Sequence, residues 1–162
     1  LEMNTESPRL SATLRLNGLE ETARLGRRIA AALAPGDAVA LRGDLGAGKT
    51  ALARAILQSL GVTGPIASPT FTLVQTYETP RLFIRHYDLY RIEHESELEE
   101  LGLDEALSEG AALIEWPERA GVRLPDDALN LSLTIIDAQS RLAALDGPAR
   151  WASAFRDEPK DL

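Results

Sequence analysis

The chain contains no cysteine, which removes disulfides, thiolate zinc sites and a cysteine nucleophile together. That absence suits a reducing compartment. Histidine is nearly as scarce: His86 and His94 are the only two, so neither a Ser–His–Asp set nor a histidine metal cluster is available. No apolar run approaches the roughly 18 residues expected of a membrane-spanning helix; the stretch Ile29–Ala34 is short and follows arginines. No basic start leads into an apolar region, so no signal peptide is expected. Leu1-Glu2 ahead of Met3 reads as a cloning remnant and is set aside from the fold. The expectation is a cytoplasmic protein without membrane contact. Basic residues are also in deficit, 17 against 25 acidic ones, for a net charge of −8. A protein that holds nucleic acid by itself usually carries a basic patch to neutralise phosphates. Here Arg24, Arg27 and Arg28 are dispersed on one helical segment, and Glu93–Glu100 is an acidic run. Any link to RNA is therefore expected to pass through another protein.

What is present is ordinary for a globular chain, with 44% hydrophobic and 26% charged residues. A length of 162 residues is enough to bury a core without staples, and residues 1–162 are expected to form a single domain. Thr13–Leu16 alternates like a short strand. Leu19–Leu33 carries apolar and small residues at helical spacing and is broken by Pro35-Gly36-Asp37. Ala38–Leu41 is a short apolar strand, followed by a glycine-rich turn and a helix over about Lys49–Leu60 that ends at Gly61. A Pro- and Gly-rich loop at Thr63–Pro69 leads to strands at Thr72–Tyr77 and Leu82–Tyr87, the second ending at Asp88. Glu95–Leu107 reads as one or two helices interrupted near Gly102. Ala111–Glu115 is a buried-looking strand stopped by Trp116-Pro117, Leu129–Ile136 and Leu142–Leu145 are late strands, and Ala149–Phe155 is a closing helix. Strands separated by helix-length crossovers point to an α/β fold of three layers, a mostly parallel central sheet with helices on both faces. The late strands are candidates for an antiparallel edge.

The chemistry starts at Gly43-Asp44-Leu45-Gly46-Ala47-Gly48-Lys49-Thr50, a complete match to the phosphate-binding pattern G-x-x-x-x-G-K-[ST]. Glycines let the backbone turn tightly and present N–H groups at a helix N-terminus, an anion nest. Lys49 is expected to reach the β and γ phosphates of ATP, and the Thr50 hydroxyl to be a Mg²⁺ ligand. A glycine-rich turn that binds nothing is the plain alternative, and the strand–loop–helix context argues against it. Such an ATPase also needs an acid at the end of a neighbouring strand, to hold Mg²⁺ or to position the attacking water. Asp88 and Glu115 both occupy the carboxyl ends of expected strands, where open α/β sheets place ligands. Which of the two meets the metal directly stays open. Ser68-Pro69-Thr70-Phe71-Thr72, on spacing alone, reads as a turn with hydroxyl caps as readily as a γ-phosphate switch. His86 precedes Asp88 by two and shares its face; a hydrogen-bonded structural histidine is the ordinary account.

Four ordered motifs carry a resemblance: the phosphate loop at Gly43–Thr50, Ser68-Pro69-Thr70-Phe71-Thr72-Leu73-Val74, His86-Tyr87-Asp88-Leu89-Tyr90-Arg91, and Ile114-Glu115-Trp116-Pro117-Glu118. In that order they resemble the TsaE family, also known as YjeE, over about Glu20 to Arg141. The resemblance implies a P-loop ATPase binding ATP or ADP with Mg²⁺ in the pathway that places threonylcarbamoyl on an adenosine of tRNA, associating with TsaD and TsaB. It implies Thr50 and Glu115 as Mg²⁺ ligands, Asp88 as the Walker B-like acid and Ser68–Thr72, with Thr70, as a switch loop. Trp116 would lie beside the nucleotide, Arg141 near the adenine, and Glu21-Thr22 close to the base. One departure is visible: the family motif commonly continues with a second threonine, whereas Thr50 is followed by Ala51, so a hydroxyl near the α-phosphate is lost. A small-molecule kinase shares the P-loop, but the stretch after Asp88 is acidic where a basic lid would be needed. An interaction module that uses nucleotide only as a prop would not need Asp88 and Glu115.

Overall fold

The computed structural model describes residues 9–156, so Leu1-Glu2, expected to be a cloning remnant, lie outside the described residues. Strand β1 (Leu10–Leu16) precedes helix α1 (Leu19–Ala32), whose first turn carries Glu20 and Glu21 at the positive end of the helix dipole. The helix stops where Leu33 turns extended, just before Pro35. Arg81 caps its last turn from outside, donating to the carbonyls of Leu33 (2.6 Å) and Ala30. Strand β2 (Ala38–Arg42) leads through the glycine-rich loop into α2 (Lys49–Ser59). Next come β3 (Val74–Glu78) and β4 (Phe83–Asp88), the short helices α3 (Glu97–Glu100) and α4 (Leu103–Glu109), and β5 (Gly110–Glu115). A 3₁₀ segment at Pro117–Arg123, strands β6 (Leu129–Ile135) and β7 (Arg141–Gly147), a 3₁₀ turn at Ala149–Trp151 and α5 (Ala152–Arg156) complete the order. The expected closing helix is thus a 3₁₀ turn followed by a short α-helix.

The seven strands form one sheet in the order β1-β7-β6-β2-β5-β4-β3. The central four, β6-β2-β5-β4, run parallel. Both margins are antiparallel: β7 against β6, β1 against β7, and β3 against β4. Of the late strands only β7 is antiparallel, because the few residues between Ile135 and Arg141 allow a hairpin and no crossover. The first strand, β1, closes that edge.

Alternation on the central strands divides the interior into two layers. Val39, Leu41, Leu113 and Leu131 face α1 and α2, packing with Leu25, Ile29, Leu52 and Ile56. Ala38, Ala112, Ile114 and Tyr87 face the other way, against Leu98, Leu103 and Ala106 of α3 and α4. Every residue of β5 is buried, as a parallel strand covered on both faces requires. Gly26 allows α1 and α2 to approach closely: a Cβ there would lie 2.6 Å from the Cβ of Ala55. This packing fixes the start of α2, and with it the loop, over the carboxyl ends of β2, β4 and β5.

Candidate functional site

The glycine-rich loop leaves β2 at Arg42 and enters α2 at Lys49. Gly43 sits at φ 147°, and a Cβ there would stand 2.6 Å from the carbonyl oxygen of Leu133, so the loop grazes β6 where only glycine fits. Lys49 is 5% exposed. Its ammonium donates to the carbonyls of Gly43 and of Asp44 (3.0 Å) and lies 4.2 Å from the centre of the Trp116 ring. Burial pushes the Lys49 ammonium below its ordinary value, opposed by the nearby acids, Glu115 and Asp88 foremost. The side chains of Asp44 and Leu45 face solvent.

Asp88 and Glu115 end adjacent parallel strands as direct register partners, on the face that carries Leu41 and Leu113. Both are buried. Two carboxylates side by side in a dry site repel, and the structure offsets each with donors. Glu115 accepts from the Thr50 hydroxyl on Oε1 (2.9 Å) and meets His86 Nε2 on Oε2 (2.6 Å). Asp88 accepts from the Tyr90 backbone N–H on Oδ1 (3.0 Å) and from the Thr70 hydroxyl on Oδ2 (3.3 Å). Thr70 in turn shares a hydrogen bond with Ser68 (2.8 Å). The Ser68–Thr72 segment therefore touches Asp88 through Thr70, which turn capping alone would not require. Phe71 projects from it, 84% exposed, with the Arg91 guanidinium 5.6 Å from its ring centre.

On the other side of the loop a cavity of about 480 Å³ is lined in part by Gly18, Thr22, Ala51, Leu133 and Arg141. Arg141, the first residue of β7, donates to the carbonyls of Ala47 and Gly46, each at 3.1 Å. It is the tether between the loop and the far strand pair. Thr22 lines this cavity, while Glu21 instead accepts from the Asn17 backbone N–H. The indole of Trp116 is partly exposed, packs against the α3–α4 side of the core, and lies over Lys49 and 4.8 Å from the Tyr90 ring.

The residues present fit Mg²⁺. Thr50, Glu115 and Asp88 offer hard oxygens, and Thr50 and Glu115 already meet. Among the described residues no three His, Cys, Asp or Glu side chains are arranged to hold a metal ion by themselves. A cation here would thus rely on one or two carboxylates, a hydroxyl and oxygens brought by the ligand, which is how Mg²⁺ is commonly held.

A family model described as "Threonylcarbamoyl adenosine biosynthesis protein TsaE" matches residues 16–143. The chain belongs to the TsaE family. Every candidate residue from Gly43 to Arg141 falls inside the matched span, as do strands β2 to β6 entire, while β1 lies almost wholly ahead of it and β7 runs past its end. The chain is similar to a protein of Rickettsia felis named "tRNA threonylcarbamoyladenosine biosynthesis protein TsaE", 44% identical over 131 residues, covering 80% of this chain and 77% of that one. A Bacillus subtilis protein of the same name is 42% identical over 113 residues, covering 69% and 70%. Among solved structures, the crystal structure of Bacillus subtilis YdiB superposes with a TM-score of 0.76 at 28% identity, over 92% of this chain and 94% of that one. The fold is thus shared with a solved neighbour. Among the described residues no helix is long and apolar enough to cross a membrane.

Within this TsaE-family chain the structure brings Gly43–Ala51, Thr70, Asp88, Glu115, Trp116 and Arg141 to one end of the sheet. Two features escaped the sequence. His86 contacts Glu115, and the only hint was its i, i+2 relation to Asp88. Gly18, Leu19, Leu133 and Ala138 line the cavity with no local pattern, because four separate elements supply them and Arg141.

Proposed function

We propose that this chain is a Mg²⁺-dependent ATPase that supports threonylcarbamoyladenosine modification of tRNA, working with TsaD and TsaB and reaching tRNA only through them. One observation carries the ATPase part. The hydroxyl of Thr50, at the end of a complete phosphate loop, is hydrogen-bonded to the buried Glu115, and a second buried acid, Asp88, stands in register beside it. A loop that only propped up the fold would gain nothing from burying two acids at its mouth, since each must be offset by donors. The pathway is supported by the family and by the names its members carry; the partnership with TsaD and TsaB is what the family resemblance implies.

In this reading the loop's backbone N–H groups and Lys49 hold the phosphates, and the 480 Å³ cavity beside Ala51 and Arg141 takes the adenine. Mg²⁺, held through Thr50 and Glu115, would offset charge on the phosphate oxygens. Asp88, tied to the Thr70 loop, orients the water that attacks the γ-phosphorus. The bond from the γ-phosphorus to the β-γ bridging oxygen then breaks, releasing ADP and phosphate. Among the described residues the arginines flanking the motifs are engaged elsewhere, Arg42 with Glu118 and Asn130 and Arg91 over Phe71, and Lys49 must exchange its loop carbonyls for a γ-phosphate. A second cation or an ordering contact from a partner is worth about 10³–10⁵ in rate in well-studied P-loop enzymes. The test is steady-state phosphate release by the chain alone and with saturating TsaB–TsaD. Strong stimulation is expected. A flat response with complex formation independently verified would mean the site is complete in itself, and transfer to a metabolite instead would make the chain a kinase.

A further inference from the structure

Glu115 is gripped from two sides, and the second grip comes from a residue with no other polar engagement among the described residues. His86 is fully buried and Glu115 is 2% exposed. Nε2 of His86 meets Glu115 Oε2 at 2.6 Å while Thr50 holds Oε1. Nδ1 of His86 is buried without a partner. The proton of the contact therefore sits on Nε2, because a proton on Nδ1 would be a buried donor with no acceptor. An imidazole buried for packing alone would be served as well by leucine, without leaving a ring nitrogen orphaned. The register explains its reach: Asp88 stands beside Glu115 and His86 stands beside Leu113, one pleat back on the same face.

We propose that His86 is a positioning residue for Glu115. It occupies Oε2, so the carboxylate turns Oε1 toward Thr50 and the metal–phosphate site and cannot swing toward Lys49. The backbone brings this about through β4, which carries Asp88 and the histidine on one face. Outer hydrogen bonds of this kind to a ligating group are worth about 10–100-fold in metal affinity. The proposal rests on the Mg-ATP reading above, and the controls keep the two separable.

The experiment is calorimetric titration of the full chain with ATP, in chelator and across a Mg²⁺ series, for wild type, His86→Leu, His86→Gln and Thr50→Ala. His86→Leu should bind ATP in chelator as wild type does, and need about 10–100-fold more Mg²⁺ for half-maximal enhancement of binding. His86→Gln, whose amide N–H stands near the place of Nε2, should recover most of that shift. A wild-type Mg²⁺ requirement in His86→Leu, with Thr50→Ala impaired, overturns the positioning role and leaves the Mg-ATP reading intact. An unimpaired Thr50→Ala overturns that reading itself. If His86→Leu misfolds, His86→Asn takes its place, since its shorter amide stands near Nδ1 and not Nε2: a folded Asn variant with the wild-type requirement overturns the proposal, and a raised requirement that His86→Gln restores supports it. Long-range ¹H–¹⁵N spectra of the imidazoles, with the His86 signal assigned by its loss in His86→Gln, provide a readout independent of binding. The Nε2–H tautomer is expected, and the Nδ1–H tautomer would overturn the geometry.

Discussion

Replacing Lys49 by alanine tests the phosphate assignment most directly. In the structure the ammonium is nearly enclosed, bonded to two loop carbonyls and set over the Trp116 ring. A charge-assisted hydrogen bond to a phosphate is worth about 1.5–3 kcal/mol. Leaving the face of the partly exposed Trp116 ring costs about 0.5–1 kcal/mol of that, so the net loss on substitution sits toward the lower end. A weakening of Mg-ATP binding by roughly 10- to 50-fold follows from the free-energy arithmetic. The alanine also strips the cation facing Glu115, Asp88, Glu118 and Asp44, and their repulsion of triphosphate works in the same direction. Calorimetric titration with Mg-ATP, on a variant whose circular dichroism matches wild type, measures the loss, and affinity within twofold of wild type would refute the assignment. The pH dependence adds a second arm. Burial holds Lys49 below its ordinary 10.5 in the folded protein, so between its folded value and 10.5 the unfolded chain binds more protons. Folding stability contributed by this group therefore rises with pH through that window, while ATP affinity falls as the ammonium is lost. Parallel denaturant titrations of wild type and Lys49→Met should diverge in that sense approaching pH 10. A constant difference between them would refute the burial argument.

Asp88→Asn and Glu115→Gln keep shape and remove charge, and both should abolish hydrolysis in the presence of partners while leaving nucleotide binding measurable. Normal turnover by either would reduce that residue to a cap on its strand. Gly26→Val should destabilise the fold by about 1–3 kcal/mol, the usual cost of overpacking a tight contact, because the added Cβ would already fall within 2.6 Å of Ala55. Chemical denaturation measures this, and an unchanged midpoint would show that α1 and α2 can part without cost.

Much of the site was legible because it is local. Gly43–Thr50 is a contiguous loop whose geometry is written in its glycines, and Asp88 and Glu115 announce themselves by ending apolar strands. The same logic failed for Ser68–Thr72 on spacing alone, since a hydroxyl cap and a hydroxyl bound to a distant carboxylate look identical in sequence; the Thr70–Asp88 bond crosses 18 positions. Arg141 and His86 needed register. Arg141 reaches the loop only because β7 folds back on β6 and brings the strand's first residue over Ala47. The antiparallel role of β1 was likewise invisible, as an edge strand of mixed residues does not state its partner. The extended ends of β1 and β7 beyond Thr13 and Leu145 follow from their pairing with each other and not from their own composition.

Backbone conformation binds these pieces to the acids. Among the described residues two non-glycine residues adopt positive φ, Leu73 at 70° and Trp116 at 58°. Each such position costs about 1–2 kcal/mol for an L-residue, and such strain gathers where the surroundings over-determine the chain. Both abut an acid. Trp116 follows Glu115 directly, and its left-handed turn takes the chain off the sheet, sends the indole over Lys49 and lets Pro117 open the 3₁₀ segment. The Leu73 carbonyl accepts from the Asp88 N–H (2.9 Å), while the Leu73 N–H closes the preceding loop onto Pro69 (2.7 Å). The two strained residues thus fix where the strands bearing Asp88 and Glu115 are left by their neighbours. An extended residue at Trp116 would prolong β5 past Glu115, and one at Leu73 would start β3 earlier, alongside Asp88; either would carry Trp116 or Thr70 away from its acid. The contacts of Lys49 with Trp116 and of Asp88 with Thr70 are what that strain secures.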